Sequence, residues 1–262
     1  MKPDFMKKRA ETLGLFGLVA NWESVQQADW VESLLSWEEK ERTRRGLERR
    51  LAAARLKRFK PIAEFDWDWP RQCDRALVEE LMSSDFISRA VNVIFSGTSS
   101  VGKTMLAKNI AWQAILNGYR TLFVTAGQML ADLTAQQGEI ALRRRLQRYL
   151  SPHLLVIDEV GYLSYSNRFA DLLFEIISGR YEEKSTMITT NIPFAEWNGV
   201  FPGAACVVSM IERLVHNAEI INIDADSWRM KEAGERQAKR AASGEKSKQR
   251  AAKKTAAQEV ST

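Results

Sequence analysis

Val91-Asn92-Val93-Ile94-Phe95-Ser96-Gly97-Thr98-Ser99-Ser100-Val101-Gly102-Lys103-Thr104 is the stretch on which the fold turns. A short apolar run of β type leads directly into G-x-x-x-x-G-K-[ST], after which Leu106, Ile110, Ala111, Ala114 and Ile115 recur at helical spacing. Strand, glycine loop and helix in that order predict a phosphate-binding P-loop. The two glycines let the backbone curl until successive N–H groups converge on phosphate oxygens at a helix N-terminus, whose dipole also favours negative charge. Gly97, Thr98, Ser99, Ser100, Val101 and Gly102 form that cradle, with Met105 just behind it. Lys103 is expected to reach the β and γ phosphates of ATP, and Thr104 to bind Mg²⁺ through its hydroxyl. An ordinary glycine turn with an exposed lysine is the competing reading, and it leaves the strand before and the helix after without a purpose.

Outward from the loop, four more apolar runs are expected to be strands: Thr121–Val124, Leu154–Ile157, Thr186–Thr189 and Ile220–Ile223. Helical stripes separate them, such as Phe169, Leu172, Leu173, Ile176 and Ile177. Strands that are apolar almost throughout, alternating with amphipathic helices, predict an α/β fold with a parallel five-stranded sheet covered on both faces. Before it, Leu13, Leu18, Val19, Trp30, Leu34, Leu35, Leu47, Leu51 and Ala54 recur at helical intervals, which predicts a small helical N-terminal domain over residues 1–61. Lys60-Pro61 and Phe65-Asp66-Trp67-Asp68-Trp69-Pro70 break the pattern and read as a linker. The α/β domain then spans 62–230, and the Ala/Lys/Ser/Gln-rich residues 231–262 read as a basic disordered tail.

Composition narrows the class. Of 262 residues, 45% are hydrophobic and 27% charged, a globular balance that excludes wholesale disorder, collagen and coiled-coil rods. No apolar run approaches the length of a membrane span, and Met1-Lys2-Pro3-Asp4-Phe5-Met6-Lys7-Lys8-Arg9 carries no apolar stretch after its charges, so a cytoplasmic location is expected. Cys73, Cys206, His153 and His216 lack the spacing of a disulfide framework or zinc site. The net charge of +5 is uneven: residues 231–262 hold nine Lys/Arg against four Asp/Glu, while Lys40 to Lys60 hold ten basic residues against Glu41 and Glu48. Two such segments suit a polyanion, since neutralising phosphates releases counterions. Arg42, Arg44, Arg45, Arg49, Arg50, Arg55, Lys57 and Arg58 are the first candidates for contact with DNA, by backbone positioning rather than base readout. Arg143-Arg144-Arg145-Leu146-Gln147-Arg148 is a weaker one. A solvated, charge-laced helix followed by a disordered tail would have the same composition.

The third strand ends Leu154-Leu155-Val156-Ile157-Asp158-Glu159, placing two acids at the carboxyl edge where parallel sheets bind ligands. Some 55 residues after a P-loop, this is a Walker B element: Asp158 for Mg²⁺, Glu159 to orient and deprotonate the water that attacks the γ phosphate. Asn191 closes the fourth strand at the same edge, where it can position that water or simply cap the turn before Pro193. Arg213, on the stripe Met210-Ile211-Glu212-Arg213-Leu214, can serve as an arginine finger or as a surface ion-pair partner. Arg229 in Asp226-Ser227-Trp228-Arg229 is ambiguous taken alone.

With the motifs in this order, the chain from about Leu13 to Lys231 resembles the IstB-like ATP-binding proteins of insertion sequences, AAA+ ATPases close to the DnaC replicative-helicase loaders. The narrow part of the resemblance lies in Phe65-Asp66-Trp67, Phe174-Glu175-Ile176-Ile177-Ser178-Gly179-Arg180-Tyr181, Thr189-Thr190-Asn191-Ile192-Pro193-Phe194-Ala195-Glu196-Trp197, Glu212-Arg213-Leu214-Val215-His216 and Ser227-Trp228-Arg229. Met105 stands where the family often has His, and Glu212 where Asp is usual. The resemblance implies an AAA+ core, with Asn191 as sensor 1, Arg213 as a finger acting in trans and Arg229 as a sensor 2 arginine. It also implies a transposition helper that oligomerises on duplex DNA with ATP, selects or prepares target DNA and stimulates a transposase of the integrase type, with ATP hydrolysis resetting the assembly. A DnaC-like helicase loader shares these core motifs and is the alternative. A P-loop kinase would not need Glu159 or Arg213, and a nucleotide-gated binding module without turnover would be indifferent to Glu159.

Overall fold

A computed structural model describes residues 2–161, 167–201 and 205–237. Its centre is a sheet of five strands, β1 (Asn92–Gly97), β2 (Thr121–Thr125), β3 (Leu154–Val160), β4 (Ser185–Thr190) and β5 (Ala218–Ile223), in the order β2-β3-β4-β1-β5. Every pairing is parallel. The near-continuous apolar runs follow from burial on both faces, since successive side chains of a strand point to opposite sides. On β3, Leu154 and Val156 enter one core with the helix Lys103–Leu116, while Leu155 and Ile157 enter a second core with the helices Ala126–Thr134, Glu139–Leu150, Asn167–Arg180 and Val207–Val215. All five expected strands and the doubly covered sheet are present. The decisive point for the site is that β4 lies between β1 and β3, so the carboxyl ends of three strands stand side by side.

The N-terminal helices Lys2–Thr12, Phe16–Ala20 and Trp22–Val25 gather a small core of Ala10, Leu13, Trp22, Val31 and Leu35. A bidentate pair from Arg9 to Glu39, 2.7 Å at each nitrogen, ties them to the helix Trp30–Ala54. That helix is 25 residues, or about 37 Å, long. Its far end leaves the small core behind: Leu47, Leu51 and Ala54, with Leu56 beyond it, pack into the α/β core. By packing, residues 1–61 are therefore shared between two cores. The expected linker is packed as well. Ile62–Glu64 forms a 3-10 turn, and Phe65, Trp67 and Trp69 lie against the main core because their rings have more to gain there than in water. At the other end, residues 228–237 are helical, past the point where a disordered tail was expected to begin, and the rest of that tail, 238–262, lies outside the described residues.

Arg180, at the end of the helix Asn167–Arg180, is buried and makes no ion pair among the described residues. Its guanidinium donates instead to the carbonyls of Tyr149, Leu150, Pro152, His153 and Ser185 and to the hydroxyl of Thr186. These bonds hold the turn that feeds the helix Glu139–Leu150 into β3, and burial pushes the arginine down to about 9. Arg180→Met is expected to strand several of those carbonyls and to lower stability by about 3 kcal/mol or more. Urea unfolding of the variant beside Tyr181→Phe, a change on the surface, measures the difference.

Candidate functional site

Along the carboxyl edge of the sheet runs a cleft of about 350 Å³, with residues of the P-loop at its floor and Met105, Lys108, Glu159, Thr189, Thr190 and Arg229 in its wall. Two glycines make the loop possible. A Cβ on Gly97 would stand 2.2 Å from the carbonyl oxygen of Ile223, and one on Gly102, whose φ is +105°, would meet the Phe65 ring at 2.5 Å. Ser100 also adopts a positive φ, and its carbonyl accepts from the Trp228 N–H at 3.1 Å. Thr98 Oγ1 donates to Ala225 O at 3.1 Å, and Val101 is buried. Lys103 lies folded under the loop, its Nζ donating to Gly97 O at 2.8 Å and Thr98 O at 2.7 Å.

Asp158 is buried at the end of β3 and accepts from two threonines. Thr104 Oγ1 lies 2.9 and 3.1 Å from its two oxygens, and Thr189 Oγ1 lies 2.5 Å from Oδ1. Thr189 in turn accepts the Glu159 N–H at 2.9 Å. The pairing of β3 with β4 shifts register between Ile157 and Val160, and in that bulge Glu159 takes a φ of +62°, exposed and facing the cleft. A non-glycine residue held there is strained, a feature that clusters at functional sites. Thr104 Oγ1 and the Asp158 carboxylate form a hard-oxygen pair of the kind that takes Mg²⁺ together with phosphate and water oxygens. The donor set fits ATP with Mg²⁺.

Asn191 follows β4 but is not among the cleft's lining residues, and its Oδ1 is buried and without a hydrogen-bond partner among the described residues. The turn before Pro193 is capped by Thr190, whose Oγ1 donates to Ile192 O and accepts from Ile192 N, each at 3.1 Å. Asn191 is therefore released from the capping role. Arg213 does not line its own chain's cleft. It donates to Ser178 Oγ and lies over the Phe174 ring at 4.8 Å. Arg229 does line it, on the helix that Lys231 fastens: Nζ is 4.0 Å from the Trp69 ring centroid, 4.5 Å from that of Trp228 and 3.4 Å from Asp66 Oδ2. Trp69 Nε1 donates to Asp226 O at 3.1 Å. Sequence reasoning passed over Phe65, Trp69, Lys108, Thr189 and Trp228 as parts of this cleft. Phe65, Thr189 and Trp228 did stand in the family-like segments, but spacing alone assigned them no place.

The basic candidates separate in space. Arg42 is paired with Glu38, and Arg44 with Glu41 and Glu48, at 2.6 to 2.7 Å. Arg45 and Lys57 are exposed, and Arg58 lines the nucleotide cleft. Arg49, Arg50 and Arg55 come together at a separate groove. In the helix Glu139–Leu150, Arg143 pairs with Glu139 and Arg145 with Asp132.

A family model for the IstB-like ATP binding protein matches residues 10–236. The chain belongs to this family. It is 36% identical over 191 residues to the protein named for ATP binding in insertion sequence IS21 of Pseudomonas aeruginosa, covering 73% of this chain and 72% of that one. Its likeness to the corresponding protein of IS5376 from Geobacillus stearothermophilus is 31% over 223 residues, 85% and 89% of the two chains. Among solved structures, DnaI superposes with a TM-score of 0.53 at 18% identity, over 64% of this chain and 92% of that one. The DnaC helicase loader does so at 0.50 and 21%, over 67% and 99%. The fold is that of the AAA+ proteins. Among the described residues no helix is long and apolar enough to cross a membrane.

Burial lowers Lys103 from its ordinary value to about 8, with Asp158 and Glu159 pulling the other way. A lysine so shifted holds its proton less tightly folded than unfolded. The folded chain is therefore expected to gain stability as pH climbs from about 8 toward 10.5, by at most about 1.4 kcal/mol per pH unit. The gain should appear in urea midpoints of the wild type and be missing from Lys103→Met.

Proposed function

We propose that this chain is an ATP-dependent DNA-binding transposition helper that oligomerises on duplex DNA, prepares the target and stimulates a partner transposase of the integrase type. The observation that carries the reading is the combination of a fitted P-loop and Walker B cleft with relatives from insertion sequences at 31 to 36% identity over most of the chain. Lys103 holds the β and γ phosphates within the loop Gly97 to Gly102, and Arg229 reaches the nucleotide from the closing helix. Thr104 and Asp158 would hold Mg²⁺, which would supply positive charge to offset that of the phosphates. Glu159, aimed by its bulge, orients the lytic water and takes its proton, and Asn191, at the end of β4 beside the cleft-lining Thr190, serves as sensor 1 once its side chain turns toward that water. Arg213 serves the triphosphate of a neighbouring subunit, which makes the assembly dependent on ATP, and hydrolysis resets it. The helicase-loader reading draws only on likeness of fold, and the insertion-sequence relatives favour the first.

The testing experiment is ATPase rate against duplex DNA concentration, with imaging of assemblies in ATP and in ADP. Stimulation and ATP-specific assemblies are expected; a monomer indifferent to DNA in both nucleotides overturns the reading. Lys103→Ala is expected to abolish ATP binding. Glu159→Gln should keep it while turnover falls about 10² to 10⁴-fold. Arg213→Ala should lose turnover by about a thousandfold and regain part of it when mixed with Glu159→Gln subunits. Undiminished ATP affinity in the lysine variant, or no rescue in the mixture, would remove those assignments.

A further inference from the structure

At the opposite end of β2 and β3 from the nucleotide cleft lies a second concavity, of about 810 Å³. It is built from three separate parts of the chain. Arg49, Arg50 and Arg55 come from the end of the long helix and the residue beyond it, Arg120 precedes β2, and Arg148, in the last turn of the helix Glu139–Leu150, and His153, in the turn after it, come from the approach to β3. Among the described residues, no carboxylate lines it. Among the described residues, Arg49, Arg50, Arg55 and Arg120 make no ion pair, and Arg148 reaches only to 3.7 Å from Asp132. Several of these groups are held in place by neutral acceptors. Arg50 Nε donates to Ile115 O at 3.2 Å, and Arg120 Nη2 donates to Ser151 O at 3.1 Å. The Arg120 backbone N–H donates to His153 Nδ1 at 3.1 Å, leaving Nε2 as the proton-bearing nitrogen of the neutral ring. The carbonyls of Pro152 and His153 are taken by the buried, uncompensated Arg180. The positive field is felt by the imidazole, which burial first and then Arg120, Lys184 and Arg180 hold below its ordinary value.

Four guanidinium groups with no ion pair among the described residues, two of them held by carbonyls, call for an anionic ligand, and the planar fork of arginine matches phosphate oxygens in pairs. Gly46, Ala52, Ala53 and Gly118 give a floor without long side chains, so a backbone can come close. An acidic polypeptide would need a large apolar anchor site, and the lining has only Leu122 and Pro152 beyond its alanines. A single strand would need aromatic platforms on which bases stack, and among the described residues no Phe, Tyr or Trp lines the groove. What remains is the phosphate ridge of a double helix.

We propose that this groove is the principal seat of the duplex phosphodiester backbone, gripped jointly by the end of the long helix Trp30–Ala54 and the AAA+ core through Arg49, Arg50, Arg55, Arg120, Arg148 and His153. The inference rests on the DNA-binding reading above and adds the place. It moves the contact from the length of the basic helix to its far end, because the carboxylates of Glu38, Glu41 and Glu48 already neutralise Arg42 and Arg44.

The test is the affinity of the full chain with ATP for a fluorescein-labelled duplex across a salt series, with circular dichroism and ATP affinity as checks on folding. The triple variant Arg49→Gln, Arg55→Gln, Arg120→Gln is expected to flatten the slope of log K against log salt by about 2.7 and to weaken binding on the order of a hundredfold. Arg42→Gln with Arg44→Gln should flatten it by less than one. If the triple variant unfolds, Arg49→Gln and Arg55→Gln, both at exposed positions, carry the test singly with a slope change of about 0.9 each. A wild type that binds duplex, beside a triple variant that binds it equally well, overturns the groove and leaves the functional reading standing. A wild type that binds no duplex at all overturns that reading first. Loss confined to a single-stranded oligonucleotide or to polyglutamate would assign the groove to another occupant and defeat the proposal.

Discussion

Asp158 is a carboxylate taken out of water at the centre of the site, and the arrangement around it depends on how that charge is compensated. An unpartnered buried carboxylate costs several kcal/mol, so hydrogen-bond donors must be brought to it. They arrive from both sides: Thr104 from the helix after β1 and Thr189 from β4. Thr189 uses its remaining capacity to accept the Glu159 N–H, which fixes the bulge and the strained backbone that turn Glu159 outward. One buried charge thus aligns the ends of three strands and sets two acids, adjacent in sequence, to different duties: one is enclosed among hydroxyls and the other faces the cleft.

A second constraint is the loop over Lys103. Its ammonium group is held by carbonyls of the very loop it would help to charge with phosphate, in a place where burial makes its proton easy to lose. Phosphates arriving in the loop would relieve that burial penalty, since an opposite charge stabilises the protonated form. The closing wall works on the same principle of shared groups. Lys231 lies against two tryptophan rings and an aspartate drawn from segments more than 150 residues apart, which binds the aromatic strap before β1 to the helix that carries Arg229.

The long helix Trp30–Ala54 joins what the periodicity had divided. Its first turns complete a small core with the N-terminal helices and its last turns belong to the α/β core, so a force on one region is carried along a rigid element to the other. Its arginines have unequal surroundings for the same reason. Those in the middle meet glutamates one turn away, whereas those at the end meet the edge of the sheet and the turn that Arg180 holds.

Strands, helices and the P-loop were legible in the sequence because they depend on local facts: alternation and runs of apolar residues, two glycines where the backbone needs them, a lysine and a threonine at fixed offsets. The two acids after an apolar run were legible on the same ground, as was the likeness to a known family in Phe174 to Tyr181 and Thr189 to Trp197. What the sequence could not determine is adjacency across the sheet and across the surface. Only the tertiary structure puts β4 between β1 and β3, makes Thr189 a partner of Asp158, gives the turn before Pro193 to Thr190 rather than Asn191, and packs the expected linker at the cleft. It alone decides which arginines are neutralised and which gather with Arg120 and His153. The physical reason is range: periodicity and backbone preference act within a few residues, whereas parallel crossovers and charge pairing are decided by distances between side chains far apart in the chain.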